Sequence, residues 1–166
     1  ALQVAKLRGA GPIIVLGTDV DERRLEVAAE LGADYAINIQ RQDPMALIQD
    51  LGDGFGADLV VDCTGVSRAL QQSMEMVRAG GRITKIGWGP QPMDFSLDPL
   101  VQKAVTLQGS FSHTYATWER VLRLMADGKL NMDAVIGGIY ALDQWEEAFS
   151  MMEEGENVKS VLLVGG

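Results

Sequence analysis

The residues with the most to offer chemically stand just past short apolar runs. Residues 13–16 (Ile-Ile-Val-Leu) are a β-branched stretch of the kind that makes a buried strand, and Asp19 lies shortly beyond it. A carboxylate at that point can accept hydrogen bonds from both hydroxyls of an adenosine ribose. Its competing use is to cap the helix that follows. Asp21 is better placed for capping, which leaves Asp19 without a structural duty. Thr64, Gly65 and Val66 follow the apolar run 59–63 in the same way, and Gly87-Trp88-Gly89 follows 82–86. Ser110 closes a fourth run, 105–110, with Ser112 and His113 just behind it. Glycine at a strand end lets a flat ligand approach the backbone closely. Either glycine loop alone is ordinary turn chemistry. Their joint occurrence at equivalent strand ends points to a shared ligand-binding edge.

Other signals carry less. Residues 52–56 (Gly-Asp-Gly-Phe-Gly) precede a strand instead of following one, so they read as a helix-to-strand connection and not as a phosphate-binding turn. No G-x-G-x-x-G and no G-x-S-x-G occurs. Cys63 reads as a small buried apolar group, because nothing basic lies nearby in sequence. A chain with 1 Cys and 1 His excludes an internal disulfide and a Cys/His-rich zinc site of its own. Trp118, Trp145 and the methionines read as core or interface filling.

These positions need elements to hold them. Residues 1–8 read as the tail of a helix stopped at Gly9. The strand 13–16 is followed by a helix over 21–31, with Leu25, Ala28 and Ala29 on one face and Arg24, just before Leu25, pointing to solvent. Next come a strand over 35–39 and a helix over 44–51 that starts on Asp43-Pro44. The strand 59–63 leads to a helix over 67–77 closed by Gly80 and Gly81, then a strand over 82–86. The stretch 87–99 is a loop with at most a short helix near its end. After the strand 105–110 come a helix over 116–127 with Val121, Leu122 and Met125 inward, a strand over 136–142, a helix over 144–153 and a strand over 160–164. Alternating strands and helices with short connections predict an α/β fold, a doubly wound parallel sheet of Rossmann type covered by helices on both faces. The alternation restarts near 133–138, dividing an incomplete dinucleotide-binding domain (1–133) from a C-terminal segment (134–166).

Composition sets the bounds. The chain has 166 residues, 47% of them hydrophobic and 22% charged, ordinary values for a globular domain. A net charge of -9 argues against nucleic-acid partners, which need clustered Lys and Arg, and against anionic membrane surfaces. No apolar run is long enough to span a bilayer. The single cysteine fits a reducing, cytoplasmic setting.

Several segments resemble one family in order and spacing. Asp19-Val20-Asp21-Glu22-Arg23-Arg24-Leu25, with the following residues 28–34, is similar to the second strand and helix of medium-chain, zinc-type alcohol and polyol dehydrogenases. Residues 58–65 (Asp-Leu-Val-Val-Asp-Cys-Thr-Gly) resemble their fourth strand and its cofactor loop, 79–87 their fifth strand, and 107–111 their sixth, beside the nicotinamide. The ending, 140–161, is similar to their return into the catalytic domain. The sorbitol and threonine dehydrogenase branch lies nearest.

The resemblance implies hydride transfer between a secondary alcohol and NAD, with zinc as Lewis acid in a full-length parent. Asp19, Thr64, Gly65, Val66, Gly87, Trp88, Ser110 and Ser112 are its implied cofactor-binding residues. It implies that the catalytic domain, the zinc ligands, the first strand of the sheet and the glycine-rich turn are absent here. The strand 13–16 and the strand 59–63 would then lack the neighbour that joins them, and the chain alone is expected to be inactive. His113 receives no catalytic role from the resemblance; its place after the strand 105–110 fits either a position near the nicotinamide end or a surface His in a helix-entry turn beside Thr114. The resemblance implies that the strand 105–110 lies at a sheet edge and pairs with its copy in a second subunit, and Val105-Thr106-Leu107 lacks the charges that guard a free edge, so a homo-oligomer of the full-length parent is expected. Two further readings of the residues stay open: a noncatalytic nucleotide-binding module on the same fold, and a methyltransferase, which the strand-helix-strand ending disfavours.

Overall fold

The computed structural model describes residues 1–165. Its first elements are α1 Leu2–Leu7, β1 Ile14–Gly17, a 3-10 turn at Asp19–Asp21, α2 Glu22–Glu30 and β2 Tyr35–Asn38. They are followed by α3 Pro44–Leu51, β3 Ala57–Asp62, α4 Ser67–Met76, β4 Val77–Lys85, α5 Asp98–Gln102 and β5 Thr106–Gly109. The chain closes with α6 Tyr115–Ala126, β6 Ile136–Ala141, a 3-10 turn at Leu142–Gln144, α7 Trp145–Glu153 and β7 Lys159–Leu163. Each strand pair is parallel: β1 with β2, β3 with β4, β4 with β5, and β6 with β7. The ladders form separate sheets of order β1-β2, β3-β4-β5 and β6-β7, an α/β architecture of parallel strands. Among the described residues no ladder joins β1 to β3.

The chain divides into two compact units, one made of Ala1–Pro44 and the stretch from Thr114 onward, the other of Met45–His113. In the first unit α2 lies on β1 and β2 and buries Leu25, Val27 and Ala28. Val27 takes the inward place expected of Ala29, which faces solvent. Farther along, α7 packs on β6 and β7. Buried Asn157 donates from Nδ2 to Tyr140 Oη (2.7 Å) and Ser160 Oγ (3.1 Å), and Ser160 Oγ donates to the Ala148 carbonyl (2.9 Å). That chain of bonds satisfies the polar groups under the α7 turn, where an unpaired one would cost about 1–3 kcal/mol. The helix α6 departs from expectation: Val121 and Leu124 are half-buried, whereas Leu122 and Met125 are exposed. Trp118 and Trp145 also stand half exposed, so neither is core filling.

The second unit is built on Leu70, Met74, Val77 and Ile83, with Val60, Phe95, Leu100, Val105 and Leu107 packed around them. The helix α4 stops at Met76, before the two glycines expected to end it. Lys103 supplies the stop. Its Nζ donates to the carbonyls of Met74 (2.8 Å), Glu75 (3.0 Å) and Val77 (3.0 Å), a cation set on the negative end of the helix. Gly80 and Gly81 instead lie inside β4, at a bulge where the register against β3 jumps from Ala57↔Val77 to Leu59↔Arg82. Gly80 turns through φ +70° there and donates its N–H to the Lys103 carbonyl (2.7 Å).

Candidate functional site

In the second unit the strand ends carry two loops, 63–66 after β3 and 86–89 after β4. Asp62 organises both. Its side chain is nearly inaccessible, at 1%, and its Oδ1 accepts from the Thr64 N–H (2.9 Å) and hydroxyl (2.7 Å). Thr64 Oγ1 in turn accepts from the Val66 N–H (3.1 Å). Asp62 Oδ2 pairs with Lys85 Nζ at 3.0 Å, and the Asp62 carbonyl accepts from Ile86 N–H (2.8 Å) and Gly87 N–H (3.1 Å). Burial pushes the Asp62 carboxyl up. The Thr64 N–H and hydroxyl and the Lys85 ammonium outweigh that and hold it below the ordinary carboxylate value.

The glycines of these loops face each other. A Cβ on Gly65 would lie 2.6 Å from the Trp88 carbonyl oxygen, and one on Gly89 would lie 2.7 Å from the Gly65 oxygen. A Cβ on Gly87 would strike the backbone of Cys63 and Gly65. The close approach expected of these glycines is therefore one loop against the other. Thr64, Gly65, Val66, Gly87 and Trp88 are brought together as a single backbone platform, from which Trp88 stands 81% exposed. Cys63 is exposed, contrary to the buried role expected of it: Asp62 takes the inward position at this strand end, and the next residue turns out. Ser110 N–H donates to the Lys85 carbonyl (2.9 Å), which fixes the end of β5 beside the end of β4. Ser112 adopts φ +57° in the exposed loop that runs to His113.

In the first unit Asp19 opens the 3-10 turn after β1 and is exposed. Asp21 stands at the N-cap of α2 but makes no side-chain cap bond to it, contrary to the capping expected: its Oδ2 instead closes the preceding 3-10 turn by accepting from the Thr18 N–H (3.0 Å) and hydroxyl (2.9 Å). Asp19 nevertheless has partners. Asn38 Nδ2 donates to its Oδ1 (2.7 Å), Arg41 pairs with the same oxygen at 3.0 Å, and its N–H donates to Gln40 Oε1 (2.7 Å). Arg41 also pairs with Glu22, and Glu22 first, then Asp19, push the guanidinium pKa up.

Arg24 does not point to solvent. It pairs with Asp21 at 2.7 Å and donates to the Met152 carbonyl at 2.8 Å, tying the turn to the end of α7. Burial raises the Asp21 carboxyl, and the Arg24 bond followed by the Thr18 bonds brings it below the ordinary value. On the same side, a Cβ on Gly155 would strike the Val20 carbonyl, so only glycine fits there. Asn38, Gln40, Arg41 and Asp62 were not marked by sequence. The signal available for Asp62 was a carboxylate ending an otherwise apolar run.

No group of three or more His, Cys, Asp or Glu among the described residues could hold a metal ion. No helix among them is long and apolar enough to cross a membrane.

Comparison with known proteins agrees with this architecture. A family described as zinc-binding dehydrogenase matches residues 1–127. The chain is 36% identical to a sorbitol dehydrogenase of Halalkalibacterium halodurans over 98% of this chain and 47% of that protein. It is likewise 36% identical to an L-threonine 3-dehydrogenase of Pyrococcus horikoshii, again over 98% of this chain and 47% of that protein. Alcohol dehydrogenase TADH from Thermus sp. ATN1 superposes with a TM-score of 0.87 at 28% identity, covering 99% of this chain and 47% of that one. The chain spans about half the length of the curated relatives it matches.

Proposed function

Because the chain belongs to the zinc-binding dehydrogenase family, we propose that it is the cofactor-binding portion of an oxidoreductase that moves a hydride between a secondary alcohol, a polyol or amino alcohol, and NAD. The observation that carries this reading is the exposed Asp19 carboxylate at the carboxyl end of a parallel strand. Such a carboxylate suits the two hydroxyls of an adenosine ribose, and its charge disfavours a 2′-phosphate. In this reading the Thr64-Gly65-Val66 and Gly87-Trp88 platform offers backbone and an aromatic face to the cofactor, and Ser110 and Ser112 serve the nicotinamide end. The segment 134–166 is read as the return to a catalytic domain, and 1–133 as the dinucleotide-binding part.

Nicotinamide supplies the hydride acceptor when bound; the residues of this chain bind and orient it. The donor set of this chain, with one cysteine, one histidine and no metal-ligating cluster among the described residues, does not fit a zinc centre. Turnover by this chain alone is not expected.

Titration of the purified protein with NAD and with NADP tests the proposal. NAD is expected to bind more tightly, and Asp19→Ala to weaken NAD about tenfold or more while narrowing the gap, as loss of a charge-assisted hydrogen bond worth about 1.5–3 kcal/mol requires. Tighter binding of NADP than of NAD by the unsubstituted protein would remove the role given to Asp19. We also propose self-association through β5, which pairs only with β4 among the described residues and so leaves an edge. Light scattering should return at least a dimer mass, and a strictly monomeric mass counts against it.

A further inference from the structure

Arg41 faces Asp19 across the strand end. Arg41 sits in the turn after β2, where its N–H donates to the Asn38 carbonyl (3.1 Å). That turn is itself locked to β1 by the Ile39 N–H on the Gly17 carbonyl (2.9 Å). The turn delivers the guanidinium to Asp19 Oδ1 at 3.0 Å and to Glu22. Asn38 and Gln40 from the same turn complete the wall around Asp19. All three charged side chains are more than half exposed, so the arrangement is not a device for stability; exposed pairs contribute little to folding.

We infer that Arg41 is a specificity-determining residue for the adenosine ribose of the cofactor: it offsets the repulsion between Asp19 and a 2′-phosphate, and it is the group that receives that phosphate when the Asp19 charge is removed. The inference rests on the reading that Asp19 meets the ribose. A planar guanidinium presents a fork of N–H donors suited to phosphate oxygens. Its pairs with Asp19 and Glu22 keep it within ion-pair distance of the carboxylate assigned to the ribose hydroxyls, so a 2′-phosphate brought to Asp19 would meet it. The NAD preference that Asp19 alone would impose is therefore moderated by its neighbour, and the two residues act on cofactor choice in opposite directions.

Calorimetric titration of the purified protein with NAD and NADP tests this in four forms: the parent, Arg41→Ala, Asp19→Asn and the double variant. Arg41→Ala is expected to raise the NAD-to-NADP affinity ratio about tenfold, the effect of one charge-assisted hydrogen bond. Asp19→Asn is expected to lower the ratio, and adding Arg41→Ala to it is expected to cancel that gain for NADP. Arg41→Lys keeps the charge without the fork and should lie between the parent and Arg41→Ala. A ratio in Arg41→Ala within twofold of the parent's, or an equal loss of both nucleotides, overturns the inference alone. Failure of the parent to bind either nucleotide overturns the reading of Asp19 and this inference with it.

Discussion

Replacing Asp62 with alanine should destabilise the fold by about 3 kcal/mol, the lower end of what breaking a buried ion pair costs. The low end applies because Lys85 keeps 27% of its side chain exposed and can reach water once its partner is gone, whereas Asp62 is sealed at 1%. The substitution also releases the Thr64 N–H and hydroxyl, so the loop 63–66 loses its internal template. Denaturant melts of the two proteins measure the difference, and a change below about 1 kcal/mol would show that the pair is dispensable. The pH dependence follows from the sign of the shift. The folded state holds Asp62 below its ordinary value of 3.8, so its contribution is fully present above that value and is lost as pH falls through the lower folded-state pKa. Acid melts of the parent should therefore lose stability below about pH 4, and Asp62→Ala should flatten that part of the curve.

The second large effect belongs to Gly65→Ala. The residue sits at φ +73°, and the added Cβ would lie 2.6 Å from the oxygen and 2.8 Å from the carbon of the Trp88 carbonyl, which are backbone atoms and cannot swing away. Overpacking of this kind costs about 1–3 kcal/mol, and a left-handed conformation adds about 1–2 kcal/mol for a residue with a Cβ. Gly54→Ala separates the two contributions. Gly54 has φ +82° with nothing within 4 Å of its would-be Cβ, so it should show the conformational cost alone. Thermal melts of the pair should differ by at least 1 kcal/mol. Equal losses would mean that the two loops open freely and that their contact contributes nothing.

Most of the alternation of elements was readable because it is written locally. Pro44 at a helix start fixes α3 to the residue, and the apolar β-branched runs mark β1 and β3. The misreadings share a nonlocal cause. Gly80 and Gly81 look like a helix stop, but the stop is Lys103, on a segment more than twenty residues away, and the glycines serve a bulge whose register is set by β3. Arg24 looks like a solvent-facing helix residue because its acceptor, the Met152 carbonyl, lies 128 positions along the chain. The loops at Thr64 and Gly87 and the turn at Asp19 follow β3, β4 and β1, yet the groups that hold them, Asp62 under one loop and Arg41 beside Asp19, were not legible. A charged residue ending a strand or following a turn carries no local mark of its partner. Leu122 and Met125 fail the opposite way: the helical period places them on an apolar stripe, but no element of their own unit buries that stripe.

The Arg24 bond to Met152 has a consequence in time. Gln3 and Asn131 are joined across the same sequence separation of 128 residues, by Gln3 Nε2 to the Asn131 carbonyl at 3.0 Å and the Asn131 N–H to Gln3 Oε1 at 2.7 Å. Chains leave a ribosome at about 5–20 residues per second, so the turn bearing Asp19 emerges roughly 6–26 seconds before its last anchor does. The stretch Met45–His113 is continuous and holds its own buried cluster, so all its partners are available while the carboxyl-terminal strands are still being made. The turn that opens at Asp19 is thus among the first parts of the chain to be synthesised and among the last to be fastened.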